Sequence, residues 1–137
     1  MEVLMNYHLT AQEIMQTEIA SISGNASVRE AVLAMRYNGT RSLLVFLSDD
    51  TKTYGIISYT DVVHKVLAEG KDASQVLVRS IATIPAHTIL ADTTIQYIAQ
   101  VFREHNIGHA PVLDEKHRVI GVVSMTDLIT EGISEPE

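Results

Sequence analysis

The chain has no cysteine. That removes disulfides, thiolate metal sites and a thiol nucleophile, and it agrees with a reducing, cytoplasmic setting. No apolar run approaches the ~18 residues needed to cross a bilayer. The opening, Met1-Glu2-Val3-Leu4-Met5-Asn6, has neither the basic start nor the long apolar stretch of a secretory signal. Cations are few: 10 Lys and Arg stand against 17 Asp and Glu, a formal net charge of −7. Broad nucleic-acid binding draws its affinity from cationic side chains on phosphates, so this balance argues against it. A few local basic groups still suffice for one small anion in a cleft. No Ser/His/Asp grouping, metal triad or phosphate loop is visible, so the residues suggest no enzyme. What remains is an ordinary globular composition, 46% hydrophobic and 20% charged, in 137 residues, enough for one or two small cores.

Within it a phrase occurs twice. Gly55-Ile56-Ile57-Ser58-Tyr59-Thr60-Asp61 returns as Gly121-Val122-Val123-Ser124-Met125-Thr126-Asp127. The residues before each copy also match: Ser27 to Arg36 lies over Thr94 to Arg103 at an offset of 67. Val28, Ala31, Val32 and Met35 in the first half, and Ile95, Ile98, Ala99 and Phe102 in the second, form the apolar stripe of an amphipathic helix. Ser27 with Glu30, Thr93 with Gln96 and Thr10 with Glu13 read as capping boxes. Short apolar runs, Leu43 to Leu47 and Ala110 to Leu113, predict buried strands. Polar connectors, Ser48 to Lys52 and Asp114 to His117, then lead back to each phrase. One extra residue in the first hairpin reduces the offset from 67 to 66. Short extended pieces at Ile19 to Ile22 and Ala86 to Ile89 precede the helices, and each phrase opens a second helix, near 60–69 and 126–131. Each half reads strand, helix, strand, strand, helix.

Two β-α-β-β-α halves, each with a hairpin closing on Gly-h-h-Ser-x-x-Asp (h, apolar), resemble the tandem cystathionine-β-synthase (CBS) domain pair over about residues 10 to 133. The run Glu104 to Glu115 is also similar to the family pattern ahead of its hairpin. The resemblance implies a mixed α/β fold in which the two repeats pack sheet to sheet with pseudo-twofold symmetry. It divides the chain into a lead at 1–9, repeat 1 at 10–70, a linker at 71–77, repeat 2 at 78–133 and a frayed acidic tail at 134–137. It implies a stand-alone regulatory module, acting in trans on a protein partner and forming a homodimer. Its clefts between the repeats would bind an adenosyl ligand: AMP, ADP, ATP or S-adenosylmethionine. Asp61 and Asp127 would accept hydrogen bonds from ribose hydroxyls, with Ser58 and Ser124 beside sugar or phosphate. Ile56 and Val122 would sandwich adenine, whose polar edge would meet backbone near Ala20 and Thr40. Arg41 in repeat 1 and His109 in repeat 2 lie in the stretches where adenylate-sensing relatives carry basic residues that meet phosphate, and the resemblance counts Ala110 among the ligand-binding residues. Ser42 faces the position of His109, and Leu44 that of Pro111, so the two clefts are chemically unequal.

Each feature has a plainer reading. Ser-x-x-Asp is also what a simple helix cap with an acid in its first turn looks like. Arg41 reads equally as a solvated loop cation. His105 and His109 have the four-residue spacing of metal ligands, but Gly108 is expected to end the helix between them and no third ligand stands nearby. His64, His87 and His117 read as surface or packing residues, and Met35 and Tyr97 as core or interface filler. Empty clefts would leave a dimerisation and docking module.

Overall fold

The apolar stripe over residues 28–35 forms the helix its spacing requires. Ser27 accepts a hydrogen bond from the Glu30 N–H, and Gly39 ends the helix at φ 64°. The computed structural model describes residues 4–47 and 50–134; the expected hairpin residues Ser48 and Asp49 and the acidic tail Glu135 to Glu137 lie outside them. In chain order the elements are β1 (Leu4–Met5), α1 (Ala11–Ile14), β2 (Ser21–Ser23), α2 (Val28–Asn38), β3 (Ser42–Leu47), β4 (Asp50–Ser58), α3 (Tyr59–Val62), α4 (Val78–Ile81), β5 (Ile89–Leu90), α5 (Ile95–His105), β6 (His109–Leu113), β7 (Val119–Ser124), α6 (Met125–Gly132) and β8 (Ile133–Ser134). A π-helical turn, Val63–Leu67, extends α3, and a 3-10 turn, Ala73–Gln75, precedes α4. No helix among the described residues is long and apolar enough to cross a membrane.

Each repeat builds a three-stranded sheet, β2-β3-β4 and β5-β6-β7, with the first pair parallel and the second antiparallel. The registers match at the expected offsets: Val45 faces Gly55 as Val112 faces Gly121, and Ser42 faces Ser58 as His109 faces Ser124. Both hairpins shift register at their far ends, after Phe46 and after Val112, so the offset change falls in the turn region.

The compact units divide the chain differently from the repeats. One comprises residues 19–86; the other joins 87–134 to the leading segment 4–18. In the first, α2, β3, β4 and α4 enclose a core of Val28, Met35, Leu43, Val45, Ile57, Val66 and Val78. In the second, Ala11 and Ile14 of α1 join Ile98, Phe102, Ala110, Val112 and Val123. The leading part of each repeat thus folds into the same unit as the remainder of the other repeat. The cause is backbone pairing on an edge strand. Gln16 exchanges two hydrogen bonds with Val122, 2.9 and 3.0 Å, and Thr83 exchanges two with Ile56, also 2.9 and 3.0 Å. Each pairing satisfies donors and acceptors that a sheet edge would leave open.

Two local expectations are corrected. The α5 N-cap is Thr94 rather than Thr93, and it makes no side-chain cap bond. The Thr93 N–H that a Thr93/Gln96 box would engage donates instead to the Leu90 carbonyl at 3.0 Å, while Thr10 bridges Thr94 and Leu9 accepts from the Ile95 N–H. The same helix ends at Asn106, left-handed at φ 53°, two residues before Gly108, because Asn tolerates that conformation.

Candidate functional site

The repeated phrase forms the same corner twice. In repeat 1, Ser58 caps α3, and Asp61 Oδ2 accepts from the Ser58 N–H at 3.0 Å and its hydroxyl at 3.2 Å. In repeat 2, Asp127 Oδ2 accepts from the Ser124 N–H at 2.8 Å and its hydroxyl at 3.0 Å. Both are capping boxes with Asp in the third helical position, so the cap reading of the motif holds in both copies. Burial follows from the corner: Asp127 retains 7% of its exposure, and the Asp61 side chain 13%.

The caps leave Oδ1 of each carboxylate, and here the repeats diverge. Lys65, one turn along the helix, places Nζ 3.1 Å from Asp61 Oδ1 and also donates to the Ile81 carbonyl at 2.8 Å. In repeat 2 the residue matching Lys65 is Glu131, which cannot donate. Gln16 replaces it from the leading segment, with Nε2 2.9 Å from Asp127 Oδ1. Thr83, which makes the same backbone bridge as Gln16, has only a short hydroxyl side chain. Each carboxylate therefore has an ion-pair or amide donor that the other lacks.

Arg41 lies beside the first corner, its carbonyl accepting from the Tyr59 N–H at 3.1 Å; its side chain is exposed and joins neither ion pair among the described residues. Gly108 occupies the equivalent place in repeat 2, accepting from Met125 at 3.0 Å. Repeat 1 thus brings Arg41 and Lys65 to its corner, where repeat 2 has Gly108, Glu131 and the half-buried His109 of β6.

Ala20 precedes β2 and its carbonyl already accepts from Leu44 at 3.0 Å; the Thr40 N–H donates to the Met35 carbonyl, also at 3.0 Å. Ile56 is buried with both backbone groups bridged to Thr83, and Val122 is half-buried with both bridged to Gln16. Each points away from the face that places Ile57 and Val123 in the cores, as strand alternation requires. Ala110 is fully buried in β6. His105 stacks on His87, ring centroids 4.0 Å apart and 21° from parallel. Among the described residues no group of three or more His, Asp or Glu is placed to hold a metal.

A cavity of about 540 Å³ lies elsewhere among the described residues. It is lined by residues including Gln12, Leu90, Asp92, Lys116 and Arg118, at the hairpin end of β6 and β7, and contains none of the predicted site residues. Asp114 in its wall lies below the usual carboxylate range, chiefly because the Arg118 N–H donates to it, with further help from the Arg118 guanidinium and the Lys116 N–H. Those partners make it a turn residue.

Lys65 and Gln16 were not among the predicted site residues. Lys65 had a readable signal, its i+4 spacing from Asp61. Gln16 had none, because 111 residues separate it from Asp127.

Two strand-helix-strand-strand-helix repeats with matching Ser-x-x-Asp corners define a tandem, internally duplicated module. The CBS domain model matches residues 11–68 and 78–133, and the chain belongs to the CBS-domain family, with two copies. An uncharacterized protein of Methanopyrus kandleri is 26% identical, covering 85% of this chain and 59% of its own length. The Hypoxic response protein 1 of Mycobacterium tuberculosis is 28% identical, covering 87% and 82%. Among solved structures, the hexameric CBS-CP12 protein from bloom-forming cyanobacteria superposes with a TM-score of 0.85 at 31% identity, covering 93% of this chain and 70% of that one. A Pyrobaculum aerophilum CBS domain protein, solved in complex with AMP, has a TM-score of 0.76 at 22% identity and covers 87% and 89%.

Proposed function

We propose that the chain senses an adenosyl ligand and acts in trans on a protein partner, without catalysis of its own. One observation carries the reading: Asp61 and Asp127 stand at equivalent corners, each with Oδ2 fixed by its cap and Oδ1 bonded to a side chain that can rotate away. A ribose presents two vicinal hydroxyls, and charge-assisted bonds to Oδ1 would replace those donors. Ile56 and Val122 would face the adenine, with the backbone at Ala20 and Thr40 near its polar edge. Arg41 and Lys65 would meet phosphate in repeat 1, and His109 in repeat 2. AMP, ADP, ATP and S-adenosylmethionine share the ribose; the AMP complex of the Pyrobaculum protein favours AMP as the first probe. The ligand would bias the module between two states by its differential affinity for them.

The chain would work as a cytoplasmic homodimer. Tyr59, Val63 and Leu67 are exposed apolar residues spaced by four along α3 and its π-helical turn; Met125 and Ile129 of α6 and Ile133 of β8 match them 66 residues on and are also exposed. Those residues also favour a second reading, a docking and dimerisation module with empty sites.

Thermal melts with AMP, ADP, ATP and S-adenosylmethionine separate the two. A ligand at ~100 times its dissociation constant adds ~2.7 kcal/mol if it binds the native state alone. The shift should disappear in the Asp61→Ala/Asp127→Ala double variant. No shift with any adenosyl compound leaves the docking module.

A further inference from the structure

We propose that Gln16 is a built-in competitor at the second site, an inference that rests on the reading of Asp127 as a ribose acceptor. Its amide donates to Asp127 Oδ1 at 2.9 Å, where a sugar hydroxyl would have to donate. The Gln16 backbone is fixed to Val122 by two hydrogen bonds, so the side chain can leave without unpairing the strand edge. Gln16 is exposed, which gives its amide an alternative partner in water, whereas Asp127 is buried. Without Gln16, Oδ1 of the buried Asp127 loses that amide donor, a costly change that a ligand hydroxyl relieves.

The comparison with repeat 1 makes the role specific. The residue in Gln16's place there is Thr83, and its Asp is held by Lys65, an ammonium that can follow a phosphate as it leaves the carboxylate. A neutral amide offers a phosphate far less, and Glu131 repels it. Gln16 thus makes the second site admit ligands by their sugar hydroxyls, with less help from phosphate.

Calorimetric titration of AMP tests this in the full chain. An Asp61→Ala background isolates the second site, and Gln16→Ala or Gln16→Thr is added to it. Gln16→Thr installs the side chain found at the matching position of repeat 1, so it guards against misfolding of the alanine variant. Removal of a donor to a charged acceptor should tighten AMP by about tenfold. With adenosine as the probe, the same variants should tighten by a similar factor. Unchanged or weaker binding in both Gln16 variants overturns the inference while leaving the nucleotide reading intact. Absence of binding by every variant, and by the wild-type chain, overturns the nucleotide reading and this inference with it.

Discussion

Gly121→Ala should unfold this protein more easily, for a reason specific to the repeated phrase. A Cβ at Gly121 would lie 2.8 Å from the Gln16 carbonyl oxygen and against the Met15 side chain. Met15 is flexible and can move. The Gln16 carbonyl cannot move cheaply, because it accepts the Val122 N–H at 3.0 Å. Overpacking typically costs ~1–3 kcal/mol. Weakening the two Gln16–Val122 backbone bonds adds ~1 kcal/mol each at most. The lower entropy of an unfolded alanine chain returns ~0.4–1 kcal/mol. The expected net loss centres near ~2 kcal/mol, with an upper end of ~4–5 kcal/mol, against the ~5–15 kcal/mol that stabilises a domain. Urea denaturation measures it directly. Met15→Ala/Gly121→Ala should remain destabilised relative to Met15→Ala, since the carbonyl clash persists. A loss below ~0.5 kcal/mol in both backgrounds would refute the claim that close approach of the leading segment requires this glycine. Gly55 offers an internal comparison: its Cβ would lie 3.1 Å from the Thr83 carbonyl and against Ile84.

Other perturbations should follow the local chemistry. Ser58→Ala and Ser124→Ala each remove a cap and should cost ~1 kcal/mol in denaturant unfolding. Lys65→Met breaks a half-exposed pair with Asp61, so its stability cost should stay below ~1 kcal/mol, while AMP affinity in an Asp127→Ala background should fall relative to adenosine affinity. The folded pKa of Asp114 is lowered, so its contribution is present above the unfolded value and is lost as pH falls through the folded value. An NMR titration of its carboxyl carbon should therefore give a midpoint below 3.8. Ile129→Glu places a charge among these exposed apolar residues and should reduce self-association in sedimentation velocity, with the fold retained by circular dichroism.

Periodicity made the fold legible. The stripe at Val28 to Met35 and its copy at Ile95 to Phe102 became α2 and α5, and the offsets of 67 and 66 reappeared as strand register. Ser58–Asp61 and Ser124–Asp127 were also readable, since capping is a local interaction. What the sequence hid was long-range. Nothing local tells Gln16 to bridge Val122, or Thr83 to bridge Ile56, so the exchange of leading segments and the donor on Asp127 were invisible. Thr93 does not cap α5: its own N–H donates to the Leu90 carbonyl, and Leu9 of the leading segment accepts from the Ile95 N–H.

The most direct test of ribose recognition is to compare AMP with 2′-deoxy-AMP by calorimetry on the wild-type chain. Loss of a hydroxyl donor to a charged acceptor costs ~1.5–3 kcal/mol, so the deoxy ligand should bind at least about tenfold more weakly. That gap should close in Asp61→Ala/Asp127→Ala. Equal affinities for the two ligands in the wild-type chain would contradict the assignment of Asp61 and Asp127 as ribose acceptors.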